Sequence, residues 1–216
     1  YEEIARVVRA AAGLGISKIR LTGGEPLVRL GIADLVRMIA GVPGIDDISM
    51  TTNGILLARH AGELKEAGLH RVNVSLDTLR PERFRRITRL GRIEDVLEGI
   101  EAAEQAGLEP VKINNVVMRD MNDDEVVDFA RLTLERAWHV RFIEVMPVGD
   151  TAGLARMEHV PIAEIRDRIE GELGALLPAD NGGRGNGPAR YHRLGEARGT
   201  IGFIDAVSDH FCFQCN

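Results

Sequence analysis

Cys212 and Cys215 form a Cys-x-x-Cys pair near the end of the sequence, and they are its only two cysteines. Two thiolates at this spacing can hold one metal ion or one corner of an iron–sulfur cluster. A four-ligand site needs further ligands, yet the sequence ends one residue later, and we therefore expect it to stop inside a metal site. A thioredoxin-like redox pair is one alternative, although that motif normally opens a helix near the start of its fold. Half of a zinc ribbon is the stronger competitor.

The composition is that of a globular protein without an excess of positive charge. A length of 216 residues suffices for one large α/β domain or two small ones, and a hydrophobic content of 44% excludes disorder as the default. A net charge of −6 argues against nucleic acid as the main partner, and the absence of a long apolar run argues against a membrane. Because the sequence begins with Tyr1 rather than Met, we expect the native N-terminus to lie upstream.

Short β-like runs alternate with amphipathic helices along the sequence. A first helix ends at Gly13 to Gly15, and further helices are predicted at about 34–40, 55–67, 82–87, 93–106, 123–136 and 161–170. Strands are predicted at about 18–21, 47–51, 71–76, 111–117, 139–145 and 201–207, with a glycine-rich loop over 180–190. Strands separated by helices of this length form βαβ units with a parallel sheet. At least five such units predict an α/β fold of the barrel or partial-barrel type.

One side of the predicted strands is persistently polar, although a parallel strand buried on both faces is normally apolar. Residues two apart share a face, and the polar set comprises Lys18, Arg20, Thr22, Ser49, Thr51, Asn73, Ser75, Asp77, Lys112 and Asn114. A closed eight-stranded barrel is filled with apolar side chains, so this stripe indicates an open barrel that holds a polar ligand. Together with Arg141, the cations in this set would call for a polyanion. The alternative is that they form surface ion pairs at strand ends.

Other short motifs lie where predicted strands end. Gly23-Gly24-Glu25-Pro26 joins a strand to a helix; its glycines let a ligand approach the backbone, and Glu25 can accept a hydrogen bond from an ammonium group. Taken singly, three of these motifs are more often structural: a tight turn here, a positive φ at Asn53-Gly54, and core packing at Met146. Ser75-Leu76-Asp77 could equally cap the segment that follows its strand.

The order of these motifs resembles that of the radical S-adenosylmethionine (SAM) enzymes, and within them the GTP 3′,8-cyclases of molybdenum-cofactor biosynthesis. The segments that carry the resemblance are 19–27, 51–54, 72–77, 112–114, 141–144 and 187–216, so it spans essentially the whole chain. Gly-Gly-Glu-Pro marks only the superfamily. The Arg-Phe-Ile-Glu segment with its following Met-Pro, and the tail that carries the two cysteines, are more specific.

The resemblance implies binding sites for two ligands and a cluster. Gly24, Ser75 and Met146 match positions that contact SAM, with Glu25 as a partner for its amino group. Positions that contact GTP are matched by Arg20, Thr51 and Lys112, with support from Lys18, Asn114 and Arg141. Cys212 and Cys215 match two of three ligands of a second [4Fe–4S] cluster, whose uncoordinated iron faces the substrate base. No side chain is assigned as a catalytic acid or base.

The implied fold is a partial, open parallel βα barrel of radical SAM type over residues 1–147, without its first strand and first cluster motif. A C-terminal extension over 148–216 leads into the incomplete second cluster site. Of the two [4Fe–4S] clusters that the resemblance implies, the first is held by a Cys-x-x-x-Cys-x-x-Cys motif, which would lie before Tyr1. A third ligand of the second cluster would lie beyond Asn216. We therefore expect the chain as given to be an inactive fragment.

In the intact enzyme, the resemblance implies that a 5′-deoxyadenosyl radical abstracts hydrogen from the ribose 3′ carbon of GTP. The carbon radical then adds to C8 of guanine and yields (8S)-3′,8-cyclo-7,8-dihydroguanosine 5′-triphosphate, while the protein supplies position and electrostatics. It further implies a cytoplasmic homodimer whose product passes to the cyclic pyranopterin monophosphate synthase.

Two other interpretations stay open. Another radical SAM enzyme with an auxiliary cluster would share the Gly-Gly-Glu-Pro turn and the cysteines, but it gives no reason for the inward basic cluster. A non-catalytic nucleotide- or metal-binding module is the alternative from a different class. The three-cysteine motif upstream of Tyr1 would favour an enzyme, and its absence would favour the module.

Overall fold

The structure is a computed structural model that describes residues 1–89, 91–146, 158–180 and 187–209. Helices and strands alternate through most of this length. The helices are α1 (Glu2–Gly13), α2 (Ile32–Ala40), α3 (Leu57–Glu66), α4 (Pro81–Thr88), α5 (Ile93–Gln105), α6 (Val126–Glu135) and α7 (Ile162–Leu173). The strands are β1 (Lys18–Leu21), β2 (Asp47–Thr52), β3 (Arg71–Ser75), β4 (Lys112–Val117), β5 (His139–Glu144), β6 (Leu176–Pro178), β7 (Arg190–Leu194) and β8 (Thr200–Ile204).

The described chain divides into two compact units. The first contains Tyr1–Ser75 and Arg85–Val111, and the second contains Leu76–Phe84 and the described residues from Lys112 onward. Within the described ranges, no helix has the length and apolar character needed to cross a membrane.

In the first unit, β1, β2 and β3 run parallel in that order. Ile48 and Met50 of β2 are buried, and so are Val72 and Val74 of β3. Helices α3 and α5 pack against each other, and α3 buries Leu57, Ala61 and Leu64, which are spaced so that one helical face is apolar. The α/β prediction for this part of the chain is therefore confirmed.

In the second unit, β4, β5 and β8 are parallel, and β7 and β6 continue the order as antiparallel strands. Phe142 of β5 and Phe203 of β8 are fully or almost fully buried, and their rings stack with centroids 6.1 Å apart. Helices α6 and α7 contact each other and also β5. The apolar side of the sheet and these helices form the core of the unit.

The predicted elements agree with the observed ones except near the C-terminus. Strands β6 and β7 were not predicted, and Arg190 begins a strand rather than ending a loop. The prediction of a strand over 201–207 is wrong at its end, since β8 ends at Ile204. The reason is that the backbone N–H of Val207 donates to the Glu144 carboxylate at 2.7 Å, which turns this segment out of the strand direction.

Gly54 makes a tight contact between a turn and the core of the first unit. Its φ is +82°, in the left-handed region, and an added Cβ would lie 2.9 Å from Cγ1 of Val74 and 2.9 Å from Cγ1 of Val96. A side chain here would therefore be both strained and crowded.

Gly54→Ala is expected to lower the free energy of unfolding by about 2–4 kcal/mol, because it combines a disfavoured φ with overpacking. Gly62→Ala is the matched control, since Gly62 lies within α3 and an added Cβ meets nothing within 4 Å. This control should be neutral or stabilising by about 0.5–1 kcal/mol. Urea unfolding followed by circular dichroism measures both; equal effects would contradict the predicted crowding.

Candidate functional site

The Gly23-Gly24-Glu25-Pro26 turn leaves open space beside its backbone. Gly23 has a φ of +152°, and a Cβ added at Gly23 or at Gly24 would meet nothing within 4 Å. Both glycines are exposed. The turn can therefore admit a ligand close to the main chain.

The Glu25 carboxylate ties this turn to the end of β2. Oε1 accepts hydrogen bonds from the Leu27 backbone N–H at 3.0 Å and from the Thr52 hydroxyl at 2.7 Å, and Oε2 accepts from the Asn53 N–H at 2.6 Å. A carboxylate oxygen has two lone-pair sites, so Oε2 keeps one site for a further donor. Glu25 thus has a structural role in the turn and remaining capacity for a ligand.

The sequence motifs do not single out Thr52, although its hydroxyl is the side-chain group that donates to Glu25 from the end of β2. Its hydroxyl also accepts a hydrogen bond from the Gly54 backbone N–H at 3.1 Å, and the residue is 2% exposed. The predicted GTP-contacting residue Thr51 is half-buried and has the opposite strand parity. Only the distance to Glu25 across the turn reveals the role of Thr52.

The register of the first unit groups its polar residues as the alternation predicted. Arg20 is opposite Ser49, which is opposite Arg71, and Thr51 is opposite Asn73. The predicted ligand residues Lys18, Arg20 and Ser75 are exposed. The sequence did not single out Arg71, which is buried and forms an ion pair with Asp47 of β2.

The second unit carries a polar and partly cationic face on β4, β5, β8 and β7. Two cross-strand rows form it: Lys112, His139 and Thr200 in the first, and Asn114, Arg141, Gly202 and Tyr191 in the second. We call this set the cationic face. The structure brings together the predicted residues Lys112, Asn114 and Arg141, of which Lys112 and Arg141 are buried. The Asn114 amide oxygen is buried and has no hydrogen-bond partner. It can therefore still accept a hydrogen bond.

His139 lies in the cationic face as a neutral ring. Its Nδ1 is 2.5 Å from the Thr200 hydroxyl oxygen, and its ring meets the Tyr191 ring edge-on, with centroids 5.8 Å apart. Burial, and then the positive charges of Lys112, Arg141 and Arg193, lower the pKa of His139 to about 4. No motif or spacing indicates a role for this histidine, since its neighbours come from other strands.

Tyr191 contacts two other members of the cationic face. Lys112 Nζ lies 5.8 Å from the centroid of the Tyr191 ring, within the range of a cation–π interaction, and the same ring packs on His139. At Gly202, an added Cβ would lie 3.0 Å from Arg141 Cγ and 3.0 Å from Tyr191 Cε1. Glycine therefore lets the arginine stem and the tyrosine ring come close.

Glu144 organises the turn that follows β8. Its buried carboxylate accepts hydrogen bonds from the backbone N–H groups of Val207 (2.7 Å), Ser208 (2.8 Å) and Ile162 (3.1 Å), and from the Ser208 hydroxyl at 2.5 Å. Burial alone would raise the pKa of Glu144, but these hydrogen bonds outweigh it and lower the pKa below its ordinary value. The ionised carboxylate is thus the stable form in this site.

The remaining predicted site residues are Met146 and the two cysteines. Met146 follows β5 and is 53% exposed. Cys212 and Cys215 lie outside the described residues. Within the described residues, no group of three or more His, Cys, Asp or Glu side chains could hold a metal ion. Arg190 forms ion pairs with Asp205 and Asp209 on either side of the turn.

The chain belongs to the radical SAM superfamily, whose sequence model matches residues 1–133 of the 216. A second family, Molybdenum Cofactor Synthesis C, matches residues 138–216. The two matches cover the two ends of the sequence that carry the Gly-Gly-Glu-Pro turn and the cysteine pair.

Among curated proteins, the chain is 57% identical over 215 residues to the GTP 3′,8-cyclase of Pelotomaculum thermopropionicum. It is 56% identical over 216 residues to the GTP 3′,8-cyclase of Heliobacterium modesticaldum. In both cases 100% of this chain aligns with 66% of the relative, so the chain spans about two thirds of their length. The resemblance predicted from the motifs is therefore confirmed.

Solved structures show the same kind of fold. Coproporphyrinogen III oxidase from Escherichia coli, described as a radical SAM enzyme, matches with a TM-score of 0.56 and 15% identity over 80% of this chain and 44% of that one. HydG, a maturase of the [FeFe]-hydrogenase, matches with a TM-score of 0.57 and 14% identity over 78% and 41%. At such low sequence identities the likeness concerns the fold alone. It confirms the partial-barrel fold of radical SAM type.

Because His139 is neutral in the folded protein, lowering the pH should destabilise the folded protein: the unfolded chain protonates this residue more readily. The unfolded state binds a proton near pH 6.5 and the folded state near pH 4, so stability falls as the pH falls through this window. Between pH 7 and pH 5 the loss from this residue is about 1–2 kcal/mol.

His139→Asn should remove this loss, which urea unfolding at pH 7, 6 and 5 would measure. The arginine partners of Glu164 lower its pKa from 4.5 to about 2. The stability that such carboxylates contribute is lost mainly below pH 4.5, and equally in the parent protein and the variant. A variant as acid-sensitive as the parent between pH 6.5 and 5 would contradict the assignment.

Glu144→Gln should loosen the turn after β8, because the neutral amide keeps only one acceptor oxygen and its NH₂ group would face hydrogen-bond donors in place of the other carboxylate oxygen. Each lost hydrogen bond to a charged group is worth about 1.5–3 kcal/mol. Amide hydrogen exchange at Val207 and Ser208 should therefore accelerate by about tenfold or more. Glu172→Gln, on an exposed position of α7, is the control and should leave both rates unchanged; unchanged rates in Glu144→Gln would refute the role of the carboxylate.

Proposed function

We propose that the whole protein to which this chain belongs is a radical SAM GTP 3′,8-cyclase that acts early in molybdenum-cofactor biosynthesis. The observation that carries the proposal is the cationic face, on which Lys112 and Arg141 are buried close to a neutral histidine. Such a face suits a polyphosphate, since lysine and arginine side chains recognise phosphate oxygens through charge-assisted hydrogen bonds. The identity of 57% to a protein named GTP 3′,8-cyclase supports the same substrate.

The proposed SAM-binding residues are Gly24, Glu25, Ser75 and Met146. The open space at Gly23 and Gly24 leaves room for a ligand beside the backbone. The remaining lone-pair site on Oε2 of Glu25 suits the ammonium group of an amino acid. These two observations fit SAM, whose methionyl part has both an ammonium and a carboxylate.

The proposed GTP-binding residues are Lys18, Arg20, Thr51, Lys112, Asn114 and Arg141. Lysine and arginine would bind the phosphate oxygens through charge-assisted hydrogen bonds. The unpaired Asn114 amide oxygen would accept a hydrogen bond from an N–H or O–H group of the ligand. The chain's own contribution is therefore binding and orientation.

When bound, SAM and the iron–sulfur clusters supply the one-electron chemistry. Cys212 and Cys215 are proposed as ligands of the second cluster; both residues lie outside the described ranges. The proposed domains are the radical SAM partial barrel over 1–147 and the C-terminal extension over 148–216. A cytoplasmic location, a homodimer and transfer of the product to the cyclic pyranopterin monophosphate synthase belong to the same proposal.

The test uses the full-length protein, reconstituted anaerobically with iron and sulfide and incubated with SAM, GTP and a reductant. Mass spectrometry should detect 5′-deoxyadenosine together with a cyclised nucleotide that retains three phosphates. SAM cleavage without change of GTP would instead indicate another radical SAM enzyme. GTP or metal binding without SAM cleavage would indicate a non-catalytic module.

Gly24→Val in the full-length protein is expected to abolish SAM binding by filling the open space beside the turn, while GTP binding stays within about threefold. Gly171→Val is the control, since an added Cβ at this position of α7 also meets nothing within 4 Å. Equilibrium dialysis with each ligand measures the effect. Equal loss of SAM and GTP would point to misfolding of the turn, and the assignment of Gly24 would fail.

A further inference from the structure

The cationic face contains a residue that contacts its charged members without being charged itself. Tyr191 belongs to β7, which runs antiparallel to β8, and it is paired with Gly202. It is 9% exposed, so its ring is part of the wall of the face. It lies in the segment 187–216 that carries the family resemblance, but it is not among the proposed ligand residues.

The Tyr191 ring contacts Lys112 and His139, and the Arg141 stem lies nearby. Lys112 Nζ lies 5.8 Å from its centroid, and the His139 ring meets it at an interplanar angle of 86° with centroids 5.8 Å apart. Beside Gly202, the ring and the Arg141 stem both come within 3.0 Å of the point where a Cβ would stand. The ring therefore touches or adjoins both proposed phosphate-binding side chains.

A lysine ammonium on a flexible four-carbon stem loses rotamer freedom when it is fixed for a ligand. The negative face of an aromatic ring can hold an ammonium group in place before the ligand arrives, at about 0.5–2 kcal/mol. Arg141 has little lateral room next to Gly202, because even a methyl group there would be crowded by its Cγ. The wall thus restricts both cations.

We propose that Tyr191 and Gly202 are positioning residues for phosphate binding: the tyrosine ring holds Lys112, and the glycine leaves room for both the Arg141 stem and that ring. This inference rests on the proposed function, since it takes the phosphates of GTP as the ligand of Lys112 and Arg141. It assigns the C-terminal strands β7 and β8 a part in substrate binding that is separate from the cysteine pair.

The test measures GTP, GMP and SAM binding to the full-length protein by equilibrium dialysis. Tyr191→Leu should weaken GTP binding by about tenfold and GMP binding by less, because fewer phosphates reach the two cations. SAM binding should stay within about twofold. Tyr191→Phe keeps the ring and should bind GTP within about threefold of the parent protein.

Gly202→Ala is the second variant, and it acts without removing the ring. The added methyl group should displace Arg141 or Tyr191 and should weaken GTP binding by about tenfold as well. If Tyr191→Leu does not fold, Gly202→Ala alone tests the positioning role. Thermal unfolding of each variant, read alongside binding, separates a local effect from a loss of structure.

Tyr1→Leu is the matched control. Tyr1 also carries a cation over its ring, since the Arg29 guanidinium lies 5.3 Å from the ring centroid, but it belongs to the first unit and to no proposed site. This variant should bind GTP and GMP as the parent protein does.

The outcomes separate the inference from the proposed function. If the parent protein binds no GTP, the proposed function fails and the inference falls with it. If the parent binds GTP while a folded Tyr191→Leu or Gly202→Ala binds it equally well, the positioning role is wrong and the proposed function is unaffected. Equal weakening of GTP and GMP in both variants would also overturn it, because the effect would not depend on the additional phosphates.

Discussion

Glu25, Glu125 and Glu144 each hold a loop in place by accepting hydrogen bonds from its backbone N–H groups. A parallel strand ends with donors that its ladder does not satisfy, and buried donors of this kind need partners. Glu25 receives Leu27 and Asn53, Glu125 receives Leu79 at 2.6 Å, and Glu144 receives Val207 and Ser208. These donors offset part of the cost of a buried or partly buried carboxylate, to which Glu125 adds an ion pair with Arg83. Without the carboxylates the loops would lose their anchors. The candidate site is built on loops and strand ends that depend on these hydrogen bonds between backbone N–H groups and carboxylates.

The structural and functional interpretations of the Gly-Gly-Glu-Pro turn are therefore compatible. Glu25 spends three of its four lone-pair sites on the Leu27 and Asn53 backbone and on the Thr52 hydroxyl, and this fixes the direction of the fourth. A ligand that meets a carboxylate already held in place loses less entropy than one that must order it. The open space at Gly24 therefore lies next to a carboxylate, that of Glu25, whose orientation is already set by its hydrogen bonds.

Strand alternation predicted Lys112, Asn114 and Arg141 because each lies on a predicted strand with the expected parity. It could not predict His139, Thr200 or Tyr191, since their membership in the cationic face depends on which strands are neighbours. Tyr191 lies on a five-residue strand whose partner is antiparallel, and its sequence, Arg-Tyr-His-Arg-Leu, has no clean alternation. Val207 was misassigned for a related reason: its local sequence favours a strand, but a carboxylate 63 residues away captures its N–H.

Because His139 is neutral, the positive charge of the cationic face comes from other residues. Burial is the larger cause of its low pKa, and the nearby cations add to it, so the ring would be neutral at pH 7 even before it meets a ligand. A protonated ring here would place a third positive charge beside Lys112 and Arg141, in surroundings where like charges repel strongly. As a neutral ring, His139 instead packs edge-on against Tyr191 and shares a hydrogen bond with Thr200. Attraction for an anion therefore comes from the lysine and the arginine, while the histidine and the tyrosine define where those charges lie.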